Sequence, residues 1–167
     1  MPTDVDRLSD LASAASHLAA RTNQLSDHAD AAKAHYAAYK GAVGAGKEDR
    51  PSLGESHLNR AAHHDKVAHD PESFEQKECL AEQARRAADR EPVAAKMRVA
   101  AKASRTAAAA WRKQNPQSKD TYRAESFDRT AKNYDDQAAF LESKEGASTS
   151  TAEGLEERLG GAAKKAT

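Results

Sequence analysis

Isoleucine is missing from this chain, and the other large apolar residues are scarce: 10 leucines, 5 valines, 3 phenylalanines and 1 tryptophan in 167 residues. That scarcity excludes a thick core of branched side chains. A single cysteine, Cys79, excludes any disulfide within the chain and fits a reducing compartment. No stretch approaches the roughly 18 consecutive apolar residues of a membrane span, so none is expected. The first residues, Met1 to Arg7, are acidic and lack an apolar run, so they do not read as a signal peptide. Charge of either sign is not in excess, with 26 basic and 26 acidic side chains. No global field therefore draws the chain to nucleic acid or to a membrane. A cytoplasmic protein is expected.

What the chain has in abundance is alanine, 38 copies. Alanine is the best helix former because it loses no side-chain entropy, so the composition favours helix throughout. Each buried alanine removes little apolar area from water, and at about 25 cal/mol per Å² such a core is thin. Close helix approach, modest stability as a monomer and reliance on a partner or on self-association are the expected consequences.

The longest pattern runs from Thr3 to Lys40. Its small and apolar residues fall at Leu8, Leu11, Ala15, Leu18, Thr22, Leu25, Ala29, Ala32, Tyr36, Tyr39 and Val43, in alternating steps of three and four. On one continuous helix they form a narrow seam of coiled-coil type. Leu8, Leu11, Leu18, Leu25, Tyr36 and Tyr39 are its candidate interaction residues. Thr3 with Asp6 has capping-box spacing, and Lys40-Gly41 reads as the stop. Ser52 with Glu55 predicts the start of a second helix to about His69, and Asp70-Pro71-Glu72 the start of a third. Pro92 must kink or divide that helix, which Asn115-Pro116 ends. Beyond Pro92, Val93, Met97, Ala100, Ser104, Ala107 and Trp111 make a clean seam. Phe127, Ala131, Tyr134, Ala138 and Leu141 make another, closed by Gly146. Residues 147–167 read as a flexible tail with a short amphipathic helix, leaving 1–146 as the domain.

Three groups of residues invite a chemical reading. Gly41-Ala42-Val43-Gly44-Ala45-Gly46-Lys47-Glu48 matches a phosphate-binding loop up to its last position, where Glu48 replaces the metal-binding hydroxyl. No strand precedes it, so an interhelix loop is the expected reading. All seven histidines lie between positions 17 and 69. None of His57, His63, His64 and His69 is spaced to chelate one ion from a single helix turn, and no metal site is expected. His17, His28 and His35 share an edge of the first helix, and antiparallel pairing with the second would bring the two sets together. Solvated flanks are the expected place for both. Finally, Arg85 to Lys113 holds nine basic and two acidic residues. Arg98, Lys102, Arg105, Arg112 and Lys113 point away from the Val93–Trp111 seam and form a candidate anion-contact face.

No nucleophile–base arrangement or cofactor motif emerges. The expected object is an all-α, elongated antiparallel bundle of three to four main helices with coiled-coil-like seams. Its expected function is that of a non-enzymatic structural or adaptor protein without cofactor, which binds a protein partner or itself. Binding of nucleic acid or an anionic surface by the basic face is the alternative.

Overall fold

Thr3 opens the first helix through the expected capping box. Its hydroxyl accepts from the Asp6 amide at 3.3 Å, and the Asp6 carboxylate accepts from the Thr3 amide at 2.9 Å. The computed structural model describes residues 3–44, 51–119 and 121–163, with side chains at 3–44, 53–119 and 121–145. Among the described residues there are six helices and no strand. These are α1 (Asp4–Thr22), α2 (Leu25–Gly44), α3 (Pro51–His69), α4 (Phe74–Arg90), α5 (Ala94–Gln114) and α6 (Tyr122–Ala163). Neighbouring helices pack as an all-α bundle.

The single long first helix does not form. It breaks at Asn23, whose backbone is left-handed at φ 57° and ψ 32° and whose amide donates to Ala19 O at 2.7 Å. Asparagine tolerates that conformation better than most residues. Its neighbours reinforce the turn: Asn23 Nδ2 donates to Cys79 O at 2.8 Å, and Asn23 O accepts from Cys79 Sγ and Gln83 Nε2. The turn between α1 and α2 is thus fastened to α4. A seam continuous from Leu8 to Val43 is therefore replaced by two helices folded back on each other.

The hairpin also selects a different inner face. Val5, Ala12 and Ala19 are buried on α1, whereas Leu11 and Leu18 are 63% and 42% exposed. Leu8, Leu25 and Tyr39 are half-buried, and Tyr36 is at the exposed margin. Nor does Lys40-Gly41 stop α2, which runs on to Gly44. Gly41 serves close approach instead, because a Cβ there would lie 2.8 Å from Leu8 Cδ1. Residues 41–44 of the phosphate-loop match are helical, and the remainder lies outside the described residues.

Further along, α4 starts later than the sequence suggests. Ser73 caps it, accepting from the Gln76 amide at 3.1 Å, while Asp70 accepts from the Glu72 amide in the preceding turn. Pro92 divides α4 from α5, and α5 ends before Asn115-Pro116, as expected. The second half packs largely on the anticipated seams, although Val93 is exposed and Ala94, Ala101, Ala108 and Ala110 of α5 are buried beside the seam. Met97, Ala100 and Ala101 of α5 meet Ala131, Tyr134 and Ala138 of α6, and Phe74 of α4 meets Phe127 edge-on. Helical conformation continues through Gly146 to Ala163, past the expected stop.

Candidate functional site

Between α1, α2 and α3 the core is not leucine but imidazole. His28, His35, His57 and His64 are 6%, 0%, 4% and 8% exposed. The expectation of solvated histidine flanks is therefore corrected for these four, while His17, His63 and His69 remain exposed. Antiparallel pairing brings only His28 and His35 to His57 and His64, and His17, on the separate helix α1, stays outside.

The register explains how. His28 and His35 lie seven residues apart on α2, as do His57 and His64 on α3, so each pair recurs on one face after two turns. Antiparallel packing then sets His28 against His64 and His35 against His57. Their Nδ1 atoms are 2.9 Å apart in both pairs. Ser9 and Ser16 repeat the same spacing on α1. Ser9 Oγ lies 3.0 Å from His57 Nε2, and Ser16 Oγ lies 2.7 Å from His35 Nε2 and 2.8 Å from His64 Nε2. Ala12, Ala19, Ala31, Ala38 and Ala61, all fully buried, sit in the layers between. Small residues let the helices approach, and the imidazoles bridge the space that remains.

The contacts join end to end as Ser9, His57, His35, Ser16, His64 and His28. A neutral imidazole offers one donor and one acceptor nitrogen, and a serine hydroxyl can donate and accept. With all four histidines neutral, every link can be satisfied at once. Two charged imidazoles facing each other through Nδ1 would be two donors with no acceptor between them.

Burial accordingly disfavours the charged form. His35 and His64 are held at pKa about 4, first by burial and then by neighbouring imidazoles and Arg60. His57 is lowered by burial and Arg60. His28 is lowered by burial and His63, against the opposing pull of Asp27. A base so weakened is poorly matched to activating Ser16 at neutral pH. Among the described residues, no group of three or more His, Cys, Asp or Glu side chains is arranged to hold a metal ion. The Cys79 thiol is buried, and that burial raises its pKa. The chemistry this arrangement supports is proton placement within a hydrogen-bonded chain.

Arg98, Lys102, Arg105, Arg112 and Lys113 of α5 are exposed, and four of the five face carboxylates of the same chain. Arg98 binds Glu142 at 2.8 Å and Asp135 at 3.1 Å; Arg105 also binds Asp135, and Arg112 binds Asp128. Lys113 lies 3.7 Å from Glu72, and Lys102 is exposed. Hydrogen bonds from Arg105 and then Arg98 hold the Asp135 carboxyl below its usual range, and Arg98 does the same to Glu142.

Sequence reasoning missed the histidine chain by placing imidazoles with the polar face. The readable signal was the shared seven-residue spacing of Ser9/Ser16, His28/His35 and His57/His64. In comparisons with protein-family models, curated proteins and solved structures, nothing matches this chain.

Proposed function

We propose that the chain is a non-enzymatic structural or adaptor protein that assembles through helix packing, with a second copy of itself as the partner. The observation that supports this reading is an inversion on the first three helices. Four of their imidazoles, His28, His35, His57 and His64, are inside, while Leu11 and Leu18 of α1 stand exposed on one face, one heptad apart. Leucines at that spacing suit coiled-coil pairing with another helix. α1 is acidic in its first turn, at Asp4 and Asp6, and basic in its last, at Arg21. Antiparallel pairing of two α1 helices about a twofold axis would set acid against base around Leu11 and Leu18.

Light scattering at tens of micromolar tests the proposal. A dimer is expected for the wild-type chain, and a monomer of unchanged helicity for Leu11→Gln/Leu18→Gln. A wild-type chain that stays monomeric throughout that range would refute self-assembly. The anion-contact reading of Arg98, Lys102, Arg105, Arg112 and Lys113 has weaker support, because four of the five already face carboxylates of their own chain.

A further inference from the structure

Each link of the imidazole chain needs one donor and one acceptor, so placing one proton places all the others. Two complete arrangements exist, and each is the reverse of the other. Running from Ser9, its hydroxyl donates to His57 Nε2, and His57 Nδ1–H, His35 Nε2–H, Ser16 O–H and His64 Nδ1–H donate in turn. His28 then accepts through Nδ1 and carries its own proton on Nε2. Running from His28, its Nδ1–H donates to His64 Nδ1, and His64 Nε2–H donates to Ser16. Ser16 donates to His35 Nε2, His35 Nδ1–H to His57 Nδ1, and His57 Nε2–H to Ser9.

The two ends choose between these arrangements. His28 Nε2 is buried without a hydrogen-bond partner. The first arrangement would place an N–H there, and a buried N–H without an acceptor is rarer than an under-satisfied acceptor. The second leaves only a bare lone pair. At the other end Ser9 is half-buried, so its hydroxyl is free to donate to water. The second arrangement therefore prevails. Of the eight ring nitrogens in the chain, it leaves one that neither carries a proton nor accepts one, and that is His28 Nε2.

We propose that the hydrogen-bonded chain runs in one direction, from His28 to Ser9, and that His28 is the proton sensor of the α1–α3 half. A proton arriving at His35, His57 or His64 has to displace a hydrogen bond, because both nitrogens of each ring are already engaged. A proton at His28 Nε2 breaks no link. The charged groups around it are mixed in sign. Asp27 of α2, which also accepts from Thr22 of α1, favours the charged ring, and His63 of α3 opposes it. Glu75, Glu78, Glu82, Arg85 and Arg86 of α4 line the same cleft as His28 and His63. Arg60 acts against charge on each of the other three rings. Burial holds His28 below 6.5, so it responds in mild acid, ahead of His35 and His64 near 4. Mild acid thus charges the junction of α2, α3 and α4 while every link persists, and deeper acid breaks the chain. The inference is independent of self-assembly.

Nitrogen-15 spectra of the full chain with labelled histidines test both statements, because protonated and bare ring nitrogens differ in shift. At neutral pH the protons should sit on Nδ1 of His28 and His35 and on Nε2 of His57 and His64. A proton on His28 Nε2, or any other pattern, overturns the direction. Ser16→Ala takes away the acceptor of His64 Nε2–H, so either orientation of the His28–His64 pair then leaves one N–H unpaired. Those two rings should become tautomer mixtures, while His35 and His57, still anchored on Ser9, keep their forms. Changes confined to His35 and His57, or no change at all, overturn the chain. On acidification, His28 Nε2 should take up a proton before the signals of the other three rings move, and Asp27→Asn should shift that midpoint to lower pH. A first protonation at His35, His57 or His64, or one that coincides with loss of the folded signals, overturns the sensor.

Discussion

His35 is fully buried, yet each of its ring nitrogens takes part in a hydrogen bond, Nε2 with Ser16 and Nδ1 with His57, one donating and the other accepting. That pairing is what makes burial of an imidazole tolerable, and it is satisfied in the neutral state. The pH dependence follows. His35 and His64 titrate near 4 when folded and near their ordinary value of 6.5 when unfolded. Between those values the unfolded chain holds more protons, so stability falls as pH falls. The stabilisation is fully present above about 6.5 and is lost progressively towards 4. At about 1.4 kcal/mol per pH unit, the two residues together give a slope of about 3 kcal/mol per unit within that window. His28 and His57 add in the same direction. His63, Asp27 and Arg60 are the charged or titratable neighbours that modulate it. Urea titrations should give a midpoint that drops steeply from pH 6.5 to 4.5; a flat midpoint over that interval would mean that the imidazoles are not buried neutral.

Asn23 and Gly41 settle how α1 and α2 are arranged as elements. Left-handed backbone at a residue bearing Cβ costs about 1 kcal/mol, and Asn23 also contributes a side-chain hydrogen bond to Cys79 O. Asn23→Ala should therefore destabilise by about 2 kcal/mol, whereas Asn23→Gly should recover the backbone part only. Chemical denaturation of the two variants measures the difference, and equal losses would show that the backbone conformation carries no cost. Gly41 opposes two effects. Alanine there gains about 1 kcal/mol of helix propensity, but its Cβ would press on the end of Leu8. Removing Leu8 should expose the propensity gain: Gly41→Ala is expected to stabilise the Leu8→Ala variant by about 1 kcal/mol and the wild type by less. A double-mutant cycle with zero coupling would place the two residues out of contact.

At the scale of the whole molecule, the two halves rest on different interiors. Imidazole and serine bridge α1–α3, whereas α4–α6 enclose Met97, Tyr134, Phe74 and alanine, with Tyr134 donating to Asp89 at 2.7 Å. Acid should therefore act on the first half before the second. Trp111, half-buried against the Phe74 cluster, reports on the second half. Between pH 6.5 and 4.5, helicity should fall while Trp111 emission holds its position, and coincident transitions would show that the halves unfold together. No described helix is long and apolar enough to cross a membrane.

Sequence alone determined the all-helical class, the Thr3 capping box, the division at Pro92 and the seams of α5 and α6. Each rests on local chemistry or on one helix's own periodicity, where Met97, Tyr134 and their alanines leave no rival face. Tertiary structure decided which face of α1 turns inward and where the histidines go. On α1 Leu11 and Leu18, and Ala12 and Ala19, recur at the same seven-residue spacing, and the two pairs differ by one residue, about 100° of rotation. Periodicity cannot choose between them. The choice falls to the small seam because it lets α2 approach and brings Ser9 and Ser16 to the imidazoles. An imidazole counts as polar until a partner nitrogen lies 2.9 Å away, and that partner exists only once α2 and α3 are in register.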